Sequence, residues 1–222
     1  MPGPDTPLAL DKRRLIGACA RLPITIDADR LRREVEALPM AVWDSRADRV
    51  GVHRDTGALF LRGHAPAEGE RPIADRPVLD QLPYCRELMQ TTLGGSPLRC
   101  LLARLPGGKH VAAHSDLGPY FTSAIRLHIP VISHPRAFML CDTLCYVMAP
   151  GEAWALNNAA RHAVWNADPE QARTHMICDF APTPGLLDLL ERAERDLGQR
   201  AEAVERAIED LTAQRRAALA MS

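Results

Sequence analysis

A histidine and an aspartate two positions apart, His114 and Asp116, are the residues whose types and spacing most directly suggest chemistry. Side chains two apart on a strand point to the same face, so this pair can offer an imidazole and a carboxylate to one point. One further histidine would complete a two-histidine, one-carboxylate site, which leaves neighbouring positions open on an octahedral ion. His162, at the far end of the strand-rich region, is the natural candidate. These ligand types suit Fe(II), and they also admit zinc.

Two arginines in apolar strands, Arg126 and Arg173, raise a second question, because a buried guanidinium without an anion is costly. Arginine forks bind carboxylates through two parallel hydrogen bonds, so a small dicarboxylate would give both residues a partner. Structural alternatives are open for each. Arg173 could pair with Asp179 or Glu170, and Arg126 could hold a substrate carboxylate or a structural acid.

The segments that would position these residues are short, apolar or alternating, and separated by Gly, Pro and Asp from Leu98 onward. That rhythm is typical of many short strands and predicts a double-sheet jelly roll, in a mainly β chain with flanking helices. We expect three parts. Residues 1–20, rich in Pro and charge, form a partly disordered segment; residues 21–183 form the jelly-roll domain with N-terminal helices; residues 184–222 form a C-terminal helix.

The C-terminal segment has a hydrophobic repeat of seven residues. Its stripe consists of Leu190, Leu197, Val204, Leu211 and Ala218. This pattern predicts a long amphipathic helix, with a break near Gly198 as a variant of that prediction. Two roles are open: the helix packs on its own barrel, or it forms a homodimer as a coiled coil.

Composition excludes several classes of partner. The 27 basic and 28 acidic residues give a net charge of -1, so no basic excess speaks for nucleic acid or a membrane surface. No apolar run approaches the length of a spanning helix. The N-terminus lacks the order of charge, apolar block and cleavage site of a signal peptide, so we expect a cytoplasmic protein. The six cysteines show no zinc-site spacing and are interpreted as reduced, buried thiols.

Six short motifs in a fixed order make the chain resemble a known family over residues 98 to about 180. The motifs are ARLPGG, HSD, RLHIPV, GEAW, HAVWN and RTHMICDF. In this order they resemble the aspartyl/asparaginyl β-hydroxylase family of Fe(II)- and 2-oxoglutarate-dependent dioxygenases. The resemblance is weaker upstream, through VHRDTGALFLRG, and does not cover the first 20 residues or the C-terminal helix.

The resemblance implies a role for each matching residue. His114, Asp116 and His162 match the iron ligands, and Arg173 matches the arginine that grips the distal carboxylate of 2-oxoglutarate. Two further residues, Arg126 and His128, match the pair near the other end of the co-substrate. At Asn157, where the family often has an acid, we expect altered hydrogen bonding around the site rather than altered metal binding.

The activity that the resemblance implies is hydroxylation of an unactivated carbon, at or near the β position, of an amino acid. Its cofactors would be Fe(II), 2-oxoglutarate and O2, and its products would include succinate and CO2. The amino acid could be free, tethered to a carrier or within a peptide, and Arg62 is a candidate for holding its carboxylate. Two rival hypotheses are a cupin-like metal enzyme that uses no 2-oxoglutarate, and a non-catalytic binding or assembly protein that acts through its C-terminal helix.

Overall fold

The computed structural model describes residues 9–43, 53, 55–67 and 71–220. Within these residues the chain forms ten strands and six α-helices. The strands are β1 Cys19–Arg21, β2 Gly57–Arg62, β3 Ser96–Leu105, β4 His110–His114, β5 Ile125–Ile132, β6 Ala137–Cys141, β7 Leu144–Val147, β8 Trp154–Leu156, β9 His162–Asn166 and β10 Arg173–Ala181. The helices are α1 Lys12–Leu15, α2 Ala28–Glu36, α3 Pro83–Glu87, α4 Pro119–Ser123, α5 Pro184–Glu191 and α6 Glu202–Ala220, and a π-helical turn, Leu88–Thr92, extends α3.

The described strands form two antiparallel sheets that share one interior. The major sheet has the order β1-β8-β5-β10-β3-β2 and the minor sheet has the order β4-β9-β6-β7. Apolar side chains of both sheets meet between them, among them Leu105 and Leu156 from the major sheet with Val111 and Val164 from the minor sheet. Two facing antiparallel sheets in this order confirm the predicted jelly roll.

Alternation along β5 and β10 explains why charged residues stand in apolar strands. Leu127 and Ile129 on β5, and Met176 and Cys178 on β10, join the core under the N-terminal helices. The residues between them therefore point to the opposite face, into the space between the sheets. Each strand thus supplies hydrophobic residues to one face and functional groups to the other.

Helices cover the outer face of each sheet. Leu31 and Val35 of α2 pack with residues of α3 and the π-helical turn against the major sheet. On the other side, Val204 and Ile208 of α6 pack against Leu140, Cys145 and Ala163 of the minor sheet. This packing is the first of the two roles considered for the C-terminal segment, while dimerisation stays a prediction.

Both terminal segments differ in detail from their expected description. Residues 9–20 belong to the fold, because Lys12 on α1 is buried and Cys19 pairs with Leu156 across the edge of the major sheet. Residues 1–8 lie outside the described residues. The C-terminal segment is two helices, α5 and α6, with the break that was considered near Gly198: residues 192–201 are not helical, and Gln199 forms a bridge to Cys145. Close contact of Gly198 with the Tyr146 ring leaves no space for a side chain at this break.

All six cysteines are buried and unbridged, as predicted. Among the described residues, no helix combines the length and the apolar character needed to span a bilayer.

Candidate functional site

Antiparallel pairing of β4 and β9 brings the two predicted histidine ligands together. His114 ends β4 and His162 begins β9, and the two residues are direct partners across the strands. Their ring centroids are 4.3 Å apart. Asp116 lies two residues beyond the end of β4, with its Oδ1 3.6 Å from Nε2 of His114. Two histidines that are distant in sequence, and the carboxylate beside the first of them, therefore lie where β4 ends and β9 begins.

The same hydrogen-bonding arrangement orients both imidazoles. Nδ1 of His114 donates to the Ala112 carbonyl at 2.8 Å, and Nδ1 of His162 donates to the Ala160 carbonyl at 3.0 Å. A carbonyl only accepts, so the proton lies on Nδ1 and each Nε2 presents a lone pair. Burial, assisted by the neighbouring His114, lowers the pKa of His162 to about 4. The ring is therefore neutral at pH 7, which is the form that binds metals.

The carboxylate of Asp116 uses its two oxygens differently. Oδ2 accepts hydrogen bonds from the Arg126 guanidinium and from Nδ2 of Asn158, while Oδ1 is the atom nearest to His114. Burial raises the pKa of Asp116, but Arg126, His162, the Asn158 hydrogen bond and His114 together outweigh this effect and hold the pKa well below its usual range. The carboxylate is therefore ionised and fixed in orientation, with one oxygen left to bind a cation.

The donor set fits a divalent transition metal. Nε2 of His114 is buried without a hydrogen-bond partner in the described part of the chain, which is unfavourable for a polar atom unless something binds it. Two imidazoles and one carboxylate match the facial site typical of Fe(II) oxygenases. His114, Asp116 and His162 are thus the residues that would hold the ion.

A buried chain of polar contacts supports Asp116 from behind. Nζ of Lys12, which is 4% exposed, donates to Oδ1 of Asn158 at 2.6 Å and to the Phe121 carbonyl at 2.6 Å. This contact fixes the amide of Asn158 so that its nitrogen faces Asp116. Asn157, where altered hydrogen bonding was expected, instead bonds to the Gly17 carbonyl and to the backbone of the turn before β9. Asn158 and Lys12 are therefore the supporting residues that the sequence analysis missed.

Arg126 is fully engaged by protein carboxylates. Its Nε and Nη2 donate to the two oxygens of Asp179 at 2.7 and 3.1 Å, and its Nη1 bonds to Asp116. Asp179, 2% exposed, also accepts from Arg99 and from the Tyr120 hydroxyl. Of the alternatives considered for Arg126, this geometry favours the structural acid over direct contact with a keto acid.

Arg173 differs, because no carboxylate of the described residues pairs with it. It is 4% exposed, and its Nη2 donates to Nδ1 of His175 at 2.9 Å. Burial lowers its pKa to about 9, so the guanidinium is still charged at pH 7. The ion pairs considered with Asp179 or Glu170 do not form among the described residues. A buried cation in this state needs an anionic ligand.

His128 is close enough to both Arg173 and His162 for each of them to affect its pKa. It is fully buried, and burial together with the positive charge of Arg173 lowers its pKa well below the usual range. Neither ring nitrogen has a hydrogen-bond partner within the described chain. Its ring centroid is 5.7 Å from that of His175. His128 is therefore a neutral group that can bond to a ligand in the cavity.

One cavity of about 290 Å³ joins these groups. His114, Asp116 and His162 line it together with Arg126, His128 and Arg173. Apolar side chains from β3, β10 and α4 complete the wall, among them Leu101, Ile177 and Phe121. Arg62 does not line it: its Nη1 donates to Asp75 at 2.6 Å and its Nε to the Pro97 carbonyl. The structure thus does not bring Arg62 to the site.

A further histidine, His53, joins the site. Its ring meets the ring of His114 edge to face, with centroids 5.0 Å apart. Ligand atoms of His53, His114 and Asp116 all lie within 4.8 Å of one another, a set that does not include His162. His53 was not considered as a ligand from the sequence, and its place in VHRDTGALFLRG, within the weaker part of the resemblance, is the signal that could have pointed to it.

Comparison with known proteins agrees with this geometry. The family model described as Aspartyl/Asparaginyl beta-hydroxylase matches residues 58–182, more than half of the chain. The chain is 26% identical over 174 residues to L-proline cis-3-hydroxylase 1 of a Streptomyces species, an alignment that covers 71% of this chain and 58% of that protein.

Solved structures resemble the chain more distantly. A prolyl-4-hydroxylase from Pseudomonas putida has a TM-score of 0.45 and 14% identity, covering 78% of this chain and 96% of that one. A prolyl hydroxylase from Trichoplax adhaerens, in complex with a hypoxia inducible factor peptide, has a TM-score of 0.48 and 10% identity, covering 69% and 77%. The match over residues 58–182, on the strands that carry the site, shows that the chain belongs to the aspartyl/asparaginyl β-hydroxylase family.

Proposed function

We propose that this protein is an Fe(II)- and 2-oxoglutarate-dependent dioxygenase that hydroxylates an unactivated carbon, at or near the β position, of an amino acid. His114, Asp116 and His162 would hold the iron, and the amino acid would be free, carrier-tethered or peptidyl. Succinate and CO2 would be the co-products. Family membership supports this class of activity, and the geometry of the cavity supports the particular roles.

Arg173 is the observation that carries the proposal. Its buried guanidinium has no acid among the described residues, yet it lines the same cavity as the metal-binding side chains. A carboxylate bound there would be charge-assisted and shielded from water, which makes such a bond strong. A ligand able to satisfy Arg173 and reach the metal site at once must carry an anionic group at its far end, as 2-oxoglutarate does.

The other residues of the chain bind and orient. Arg126 and Asn158 hold the Asp116 carboxylate so that Oδ1 faces His114. His128 offers ring nitrogens close to Arg173 and His162. When bound, iron with 2-oxoglutarate and O2 supplies the oxidising power for the hydroxylation. The protein supplies a cavity whose apolar wall excludes water and places one C–H bond, because small displacements of reacting atoms are costly.

The wall of the cavity also bears on the substrate. Leu101, Ala103 and Ile177 form an apolar surface on the major sheet, and Ala65 and Pro66 line the cavity from the loop after β2. Such a surface suits a small aliphatic side chain rather than a charged one. The similarity to an L-proline cis-3-hydroxylase supports a small cyclic or aliphatic amino acid as the first substrate to test.

The experiment is succinate release from 2-oxoglutarate by the Fe(II)-loaded protein, with and without a panel of amino acids and short peptides. We expect one class of substrate to accelerate release and to gain one oxygen atom by mass spectrometry. His114→Ala and His162→Ala should abolish both signals, whereas Arg62→Gln, outside the cavity, should retain them. If the fully Fe(II)-loaded protein releases no succinate, either alone or with any member of the panel, the proposal is wrong.

The two rival hypotheses give different results in the same assay. A cupin-like metal enzyme would convert a substrate without 2-oxoglutarate, and its product would form equally in Arg173→Met. A non-catalytic protein acting through α6 would lose its function when residues 202–220 are removed, and it would keep that function in His114→Ala.

A further inference from the structure

We propose that His53 supplies a further protein ligand to the metal centre, in addition to the three that the sequence predicts. This inference rests on the proposed function, because it concerns the ion that His114 and Asp116 would bind. It assigns a role to a residue that lies outside the strands of the barrel and before the region of the family match.

The distances allow a shared ion. Ligand atoms of His53, His114 and Asp116 lie within 4.8 Å of one another. Bonds of about 2.0–2.2 Å place two ligand atoms roughly 3 Å apart when adjacent and roughly 4 Å apart when opposite. A small side-chain adjustment around a bound ion would therefore bring all three atoms to bonding distance. A second observation points to a ligand at this position: Nε2 of His114 is buried and has no hydrogen-bond partner among the residues that the structure describes.

The backbone that carries His53 is held in place from two sides. The amide of Thr56, a buried residue, donates to the His53 carbonyl at 2.9 Å and closes a tight turn. Asp55, in the same turn, forms an ion pair of 3.3 Å with Arg215 of α6. One turn earlier on α6, Thr212 bonds to His110 at the start of β4. The C-terminal helix thus connects the His53 turn to the strand that ends at His114.

The position of His53 limits what it can do. It is half-buried and lines the same cavity as His114 and Asp116. As a ligand it would occupy one of the positions that the three predicted ligands leave open. It would then raise the affinity of the resting protein for a divalent ion and would have to yield that position to an incoming ligand.

The test counts the imidazoles bound to Co(II) in the full-length protein, by X-ray absorption spectroscopy under anaerobic conditions without 2-oxoglutarate. We expect the His53→Ala variant to bind Co(II) with one imidazole fewer than wild type. Its affinity for Co(II) should be about tenfold lower, at the low end of the range for residues that support a metal site. His53→Gln serves if the alanine variant does not fold. His134→Ala, a half-buried histidine that does not line the cavity, is the matched control and should change neither quantity.

An unchanged imidazole count and affinity in both His53 variants would overturn the inference and leave the proposed function standing. The same holds if the only effect is a raised substrate KM, since His53 would then contact substrate and not metal. Failure of wild type to bind Co(II), or binding that survives His114→Ala, would instead contradict the proposed function.

Discussion

Arg126 and Arg173 are the same residue type, buried on adjacent strands and facing one cavity, yet their surroundings are opposite. Arg126 bonds to Asp179 and Asp116, and these negative charges outweigh the effect of burial and raise its pKa above its ordinary value. Arg173 bonds only to a histidine among the described residues, and burial lowers its pKa to about 9. A paired guanidinium holds other protein groups in place, while an unpaired one is prepared to bind an anion from outside.

The largest difference should appear in folding stability when Arg126 is removed. In Arg126→Met the buried carboxylates of Asp179 and Asp116 lose the positive charge that pairs with both of them. This loss should lower the unfolding free energy by about 3–5 kcal/mol. Urea unfolding of the metal-free protein measures it. A loss below about 1 kcal/mol would show that the ion network contributes little.

Arg173→Met should have the opposite effect on the metal-free protein. Removing a buried charge that lacks an acid partner should leave the unfolding free energy unchanged or raise it by about 1–3 kcal/mol. The Kd for 2-oxoglutarate should rise about 100-fold. This corresponds to the loss of roughly 2–3 kcal/mol from one charge-assisted hydrogen-bonded pair. If Arg173→Met destabilises the protein as much as Arg126→Met, the distinction between the two arginines fails.

Acid should destabilise the protein through the carboxylate that compensates Arg126. Burial raises the pKa of Asp179, but Arg126 and Arg99 outweigh it and lower the value to about 2. Because this is below the unfolded value of about 3.9, the stabilisation is present above about pH 4 and is lost as the pH falls from 4 to 2. The amount is on the order of 2 kcal/mol.

The check is the urea midpoint measured across this pH range for wild type and Asp179→Asn. The variant should be less stable at pH 7 and show a shallower decline below pH 4. Identical slopes for the two proteins would mean that another carboxylate dominates.

The smallest expected effect is at Lys12, which does not line the cavity. Lys12→Met removes the donor that fixes Asn158, so the orientation of Asp116 should relax and Co(II) affinity should fall several-fold, below the 10–100-fold typical of direct supporting partners. Lys109→Met, an exposed lysine, is the control. A stability loss without any change in Co(II) affinity would reduce Lys12 to a purely structural residue.

Much of the site could be predicted because strand alternation and motif order are local features of the sequence. His114 and His162 are direct partners across β4 and β9, and Asp116 lies beside His114, while their role as metal ligands stays a prediction. The position of Arg173 in an apolar strand predicted that it needs an anionic partner, and the family resemblance implied that this partner is 2-oxoglutarate. The apolar stripe that packs α6 on the barrel was also visible, through Val204.

The remaining features depend on contacts between distant segments. No residue near Arg126 in sequence indicates that its guanidinium would form hydrogen bonds with Asp179, 53 residues later. Arg62 similarly finds Asp75 through a loop whose path the sequence does not specify. Lys12, in a segment rich in Pro and charge, gave no sign that it would be buried against Asn158. Such ion pairs and buried polar contacts follow from the assembled fold, so local patterns cannot reveal them.

The central claim is that Arg173 binds the distal carboxylate of 2-oxoglutarate, and a comparison of two keto acids in wild type and one variant tests it most directly. Calorimetry with the Co(II)-loaded protein compares 2-oxoglutarate with 2-oxopentanoate, which has a methyl group in place of the distal carboxylate, in wild type and in Arg173→Met. The account predicts that wild type prefers 2-oxoglutarate by about 100-fold and that the variant has almost no preference. An equal preference in both proteins would show that Arg173 does not bind the distal carboxylate, and the assignment of this cavity to 2-oxoglutarate would lose its main support.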